Sequence, residues 1–82
     1  MHRNDVKDVL ISAIAEVRPD LQFCKLEDHD SLLALGVNSM ERAEIIIDVL
    51  RELKLKIPLI DTYGPKNLGE LVDLLAARCY AA

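Results

Sequence analysis

Few side chains in this 82-residue chain are of a type that does chemistry: Ser39, His29 beside Asp30, His2, Cys24 and Cys79. A Ser-His-Asp set can be drawn from Ser39, His29 and Asp30, but no glycine pattern of a nucleophile elbow surrounds the serine. Cys24 and His29 stand five apart with no second pair to complete a four-ligand zinc site. Gly36, Gly64 and Gly69 are too widely spaced to cradle a phosphate. These residues point away from an enzyme. Cys79 reads as a small core residue, Cys24 as a partly buried loop residue, and both histidines as surface residues.

Ser39 differs from the rest. Asn38 precedes it and Glu41 follows Asn38 by three, the spacing of a capping box that opens a helix at Ser39. With Asn38 as the cap, the Ser39 hydroxyl is free to face outward at the positive end of the helix dipole. A phosphate ester on that oxygen would sit where backbone N–H groups and dipole both favour negative charge. The plainer alternative is a neutral serine in a first turn.

The elements that position Ser39 follow from period and punctuation. Val6, Val9, Leu10, Ala13, Ile14 and Val17 mark a first helix over 5–17, with Asn4 or Asp5 as cap and Arg18-Pro19 as its end. Residues 18–37 show no sustained period, yet carry six large apolar side chains. They predict a long loop pinned to the core, with a helical turn at 31–34. In the helix from Ser39, the residues Met40, Ala43, Ile46, Ile47, Leu50 and Leu53 mark a core side. Glu41, Glu44, Asp48 and Glu52 fall within roughly 80° of one another on the wheel, an acidic stripe on the solvent side. Lys56-Ile57-Pro58 breaks this helix, and a single turn fits before Gly64. Asn67 and Glu70 repeat the cap spacing ahead of a last helix at 68–80. The expected fold is all-α: a small bundle of three main helices and one short helix, with a long loop after the first, in one domain over residues 1–82.

Composition agrees. The chain is 51% hydrophobic and 29% charged, too apolar for disorder. Its net charge of -4 has the wrong sign for nucleic acid and suits basic protein partners. No membrane span or secretory signal is legible, and two distant cysteines do not make a disulfide framework. The expectation is a monomer in the reducing cytoplasm.

Leu35-Gly36-Val37-Asn38-Ser39-Met40, after a long loop and opening a helix with acids on its outer face, resembles the attachment motif of acyl carrier proteins. The resemblance spans nearly the whole chain. It implies that a phosphopantetheinyl transferase places 4'-phosphopantetheine from coenzyme A on Ser39, flanked by Asn38 and Met40, and that the arm carries acyl thioesters without catalysis by the carrier. It implies docking through Glu41, Glu44, Asp48 and Glu52, with Met40 and Ile45 as apolar contacts. Where the family usually has Asp before the serine, this chain has Asn38.

The string 38–45 (Asn-Ser-Met-Glu-Arg-Ala-Glu-Ile), with Ile57-Pro58 and residues 63–71, is similar to the free-standing donor carriers of polyketide β-branching cassettes. That subgroup implies an acyltransferase that loads malonyl, a decarboxylating ketosynthase-like enzyme that leaves acetyl, and an HMG-CoA-synthase-like enzyme that uses it. With so short a cargo the arm is expected mostly exposed. An ordinary extender carrier bearing malonyl or growing chains is the alternative within the family. An unmodified helical interaction module is the alternative outside it. Arg42, at the edge of the apolar side, could support the first loop through Asp28 or Asp30 or meet a partner.

Overall fold

Val6, Leu10, Ala13 and Ile14 are all buried on one face of α1, which runs Arg3–Val17 in the computed structural model. The structure describes residues 2–80. Helix α1 starts earlier than the period suggests, and its cap is His2 rather than Asn4 or Asp5. The His2 carbonyl accepts the Asp5 and Val6 amides at 3.0 and 3.2 Å, while the Asp5 carboxylate accepts the His2 amide at 3.1 Å. Asp5 therefore works from the third helical position, where it also suits the dipole. At the far end Arg18 leaves the helical region, with φ -128° and ψ 81°, as a residue before proline must.

Two further helices follow, α2 (Ser39–Leu53) and α3 (Leu68–Tyr80), with short 3-10 turns at Pro19–Leu21 and Leu59–Thr62. Among the described residues there is no strand. Helix α1 packs on both α2 and α3. The core joins the α1 face to Ile45, Ile46, Val49 and Leu53 of α2 and to Leu68, Leu71, Val72 and Leu75 of α3. The second helix ends three residues before Lys56, at a left-handed Lys54 (φ 56°), where the Leu55 amide closes on the Leu50 carbonyl at 2.9 Å.

The long loop is pinned by the buried Leu21, Leu26, Leu32 and Val37, whereas two of its six large apolar side chains, Phe23 and Leu33, face solvent instead of the core. It also supplies backbone partners to another helix. The carbonyls of Asp30 and Asp28 accept the Leu68 and Gly69 amides, the first two of α3, at 2.8 and 2.9 Å. That approach leaves no room for a side chain at Gly69, where a Cβ would stand 2.9 Å from the Asp28 Cβ and 3.2 Å from its carbonyl oxygen. The Asp28 carboxylate turns back to Lys7 Nζ at 2.8 Å and Arg3 Nη2 at 2.9 Å, and Arg3 also pairs with Asp73 of α3. One aspartate thus ties the loop to α1, while its carbonyl ties the loop to α3. The expected turn after residue 30 is present: Ser31 Oγ accepts the Ala34 amide at 3.0 Å. It ends at Gly36, whose φ of +82° lies in the region that favours glycine.

Cys24 is exposed, not partly buried, because the 3-10 turn before it buries Leu21 and directs the chain outward; Cys79 packs partly against the core. Among the described residues no helix is long and apolar enough to cross a membrane.

Gly69→Ala should lower stability by about 1–2 kcal/mol, the overpacking loss exceeding the gain in helix propensity. Urea denaturation measures it, and a midpoint at or above wild type would refute the close approach. Lys7, and next Arg3, hold the Asp28 carboxyl below its ordinary value. A depressed folded value means stability that is present above the ordinary carboxylate range and lost as pH falls through the folded value. Denaturation in acid should therefore find wild type more stable than Asp28→Asn near neutrality, with the gap closing as the carboxyl protonates.

Candidate functional site

The two residues before Ser39 decide where its hydroxyl points. Val37 is buried, and Asn38 is extended (φ -80°, ψ 172°), so the chain enters α2 from the core outward. Asn38 Oδ1 accepts the Glu41 amide at 2.8 Å, and Glu41 Oε1 accepts the Asn38 amide at 3.1 Å. The capping box expected from spacing is complete. Ser39 is exposed at the first helical position and is not needed as the cap. An ester oxygen there projects into solvent beside unpaired helix-start amides, a position that suits a phosphodiester.

A residue that the sequence reading passed over holds this corner. Arg18, half-buried beyond the end of α1, donates from Nη1 to the Gly36 carbonyl at 2.7 Å and to Glu41 Oε1 at 3.2 Å. Its other edge meets Asp20 in two bonds of 2.9 and 2.8 Å. The pairing with Asp20 first, and Glu41 after it, raises the guanidinium further above its ordinary value, and Arg18 holds the Asp20 carboxyl low. Arginine before proline at a helix end was the signal, since that residue must turn away from the helix; its partner 23 residues on was not legible.

The face of α2 that meets solvent is rotated from the expected one. Ile45 is fully buried, which corrects its assignment as a docking contact, while Met40 is 74% and Ile47 46% exposed rather than core. Apolar residues cover roughly 220° of the wheel, so their pattern alone leaves the phase open. Packing against α1 selects Ile45, Ile46, Val49 and Leu53. What faces outward is Met40, Glu44, Ile47 and Arg51, a stripe at steps of four, three and four.

The acids separate accordingly. Glu44 lies in the outward stripe. Glu41 is engaged by Asn38 and Arg18. Asp48 is half-buried, 3.6 Å from Arg51, and with Glu52 it lines a groove against Asp8 and Glu16 of α1.

Arg42 supports neither Asp28 nor Asp30. It reaches the other connection, where Nη2 donates to the Thr62 carbonyl at 2.7 Å and the guanidinium lies 4.8 Å from the centre of the Tyr63 ring. Its Nη1 is buried without a hydrogen-bond partner. Asp28 is already paired with Lys7 and Arg3, and Asp30 accepts the Glu27 amide at 2.8 Å. His29 lies 3.7 Å from Asp30 on the surface, in the loop that meets α3. Among the described residues no metal-binding group of His, Cys, Asp or Glu forms.

Residues 8–75 match the family model for a phosphopantetheine attachment site. Among curated proteins the chain is similar to the polyketide biosynthesis acyl-carrier-protein AcpK of Bacillus subtilis (strain 168), 44% identical over 82 residues that span all of both chains. Among solved structures it resembles a chain in the crystal structure of the curacin biosynthetic pathway HMG synthase in complex with acetyl donor-ACP. The TM-score is 0.89 at 44% identity, covering 94% of this chain and 99% of that one.

Asn38→Ala should cost about 1 kcal/mol through loss of the cap, and Asn38→Asp should retain most of the stability. Denaturant midpoints of the two variants check this, and equal stability of Asn38→Ala and wild type would contradict the capping geometry.

Proposed function

The chain belongs to the phosphopantetheine attachment-site family of acyl carriers, which are not themselves catalysts, and we propose that Ser39 bears the arm and that the loaded protein is an acetyl donor in polyketide β-branching. The observation that carries the assignment of Ser39 is its free, exposed hydroxyl at the start of α2, next to a cap that is already satisfied. When bound, the arm supplies a thiol that holds acyl groups as thioesters. The protein's part is to present it: Asn38 and Glu41 keep the helix start intact, Arg18 anchors that start to α1, and the rigid α2 offers a surface beside the cargo.

The donor reading is supported by 44% identity to a polyketide carrier over its whole length and by likeness to a carrier in complex with an HMG synthase. The partners in this reading are a phosphopantetheinyl transferase, an acyltransferase, a decarboxylating ketosynthase-like enzyme and an HMG-CoA-synthase-like enzyme. They act on a monomeric single domain in a reducing cytoplasm, a setting that suits the free Cys24 and Cys79. Docking uses Met40, Glu44 and Ile47, with Glu52 at the margin. Met40 and Ile47 supply apolar area on the most exposed line of α2, and Glu44 between them supplies charge for orientation.

Incubation with coenzyme A and a transferase should add the mass of one phosphopantetheine to wild type and none to Ser39→Ala; uptake by the variant would overturn the site. The acetylated protein should then transfer acetyl to the active cysteine of a β-branching synthase faster than an ordinary extender carrier does. Equal transfer by both would favour the extender reading. Glu44→Lys and Met40→Ala should each slow that transfer while changing stability by less than about 0.5 kcal/mol. Slower transfer that tracks unfolding would assign these residues a structural role instead.

A further inference from the structure

A groove of about 320 Å³ opens between residues 31–33 of the long loop, Arg42 of α2 and the segment 65–71 that leads into α3. Its polar side chains are Ser31, Arg42, Lys66 and Asn67; among the described residues no carboxylate lines it, and the remaining walls are leucine and proline. The acceptor oxygens of Ser31 and Asn67 are already engaged by the Ala34 and Glu70 amides at 3.0 and 2.8 Å, so what these two offer the groove is an O–H and an NH2.

Arg42 adds a cation whose needs are incompletely met. Only Nη2 has an acceptor, and Nη1 is buried without one. Among the described residues the ion pairs take up Arg3, Lys7, Arg18, Lys25, Arg51 and Arg78, and leave out Arg42, Lys54, Lys56 and Lys66, of which Arg42 and Lys66 line this groove. In a chain of net charge -4, this groove collects donors and positive charge against apolar walls. Such a lining suits a small anion on an apolar body. Arg42 follows Ser39 by one helical turn, about 4.5 Å along the axis at 1.5 Å per residue, so an arm attached at Ser39 has ample length to fold back.

We propose that this groove holds the carboxylate of an acyl group that ends in one, carried on the arm of the same molecule. The proposal rests on Ser39 being the attachment point. Arg42 and Lys66 are the positive partners, Ser31 and Asn67 the neutral donors, and Leu32 and Leu71 the wall against the methylene chain. The selection is by charge rather than by size. An acetyl group offers Arg42 only a neutral thioester oxygen and no charge, so removal of the carboxylate releases the arm to solvent, where a docked enzyme can reach it.

Three forms of the full chain test this: the arm with a free thiol, acetyl-loaded and malonyl-loaded, each verified by mass, with 13C in the acyl group. In the malonyl form, NOEs should connect the malonyl methylene to methyl groups of Leu32 and Leu71, and the Arg42 Nε–H signal should shift. Neither effect should occur in the other two forms. Arg42→Gln, loaded with malonyl, should lose the NOEs while keeping wild-type helicity. A malonyl form without NOEs, or an Arg42 shift equal in all three forms, would overturn the proposal, the latter by assigning the groove to the arm's phosphate. NOEs that persist in folded Arg42→Gln would overturn the part given to Arg42, and if that variant does not fold, the three wild-type forms decide alone. Failure to load Ser39 at all is a separate outcome, read by mass, and strikes the carrier assignment itself.

Discussion

One guanidinium fixes the corner from which α2 starts. Arg18 stands where α1 ends and Pro19 forbids its continuation, and from there it binds the Gly36 carbonyl, the Glu41 carboxylate and Asp20 together. The planar fork of arginine makes this possible, since it presents donors along two edges at once and a lysine would offer a single point. Through Gly36 the contact sets the turn that precedes Ser39, and through Glu41 it braces the capping box that starts α2. The end of one helix and the start of the next are thereby fixed to each other across the connection 18–38.

That connection does more than join helices. Its carbonyls at Asp28 and Asp30 receive the opening amides of α3, and its buried leucines close the core that three short helices leave open. A small domain has little apolar area to bury, so a loop that contributes both core side chains and helix-end hydrogen bonds is part of the fold rather than a tether. The same loop forms one wall of the groove beside Arg42. The parts that surround Ser39 therefore come from all three helices' neighbourhoods while Ser39 itself stays in solvent.

The net charge of -4 is unevenly employed. Asp20, Asp28, Asp73 and Glu41 pair with Arg18, Arg3 and Lys7 and serve the architecture. Asp48 and Glu52 face Asp8 and Glu16 across the α1–α2 groove. Glu44 alone of the four helix acids occupies the outward line, between Met40 and Ile47. In the proposed docking a partner meets a surface that is more apolar than the acidic stripe on a helical wheel suggests, one on which charge would serve mainly steering and orientation.

Most interactions that close within a few residues were legible in the sequence, the His2 start of α1 being the exception. The Asn38 and Asn67 caps follow from side chains acting on amides three positions away, the short turn before Gly64 and the start of α3 from proline and cap punctuation, and the attachment motif from its likeness to a known family. The tertiary structure alone decided the roll of α2, because its apolar residues cover more than half the wheel and only packing on α1 chooses among them. That choice buried Ile45 and exposed Ile47. It also decided the distant partners of Arg18, Arg42 and Glu41, because a long charged side chain can reach several acceptors. Which one it meets depends on segments 18 or more residues distant, which only the folded core brings within hydrogen-bond range.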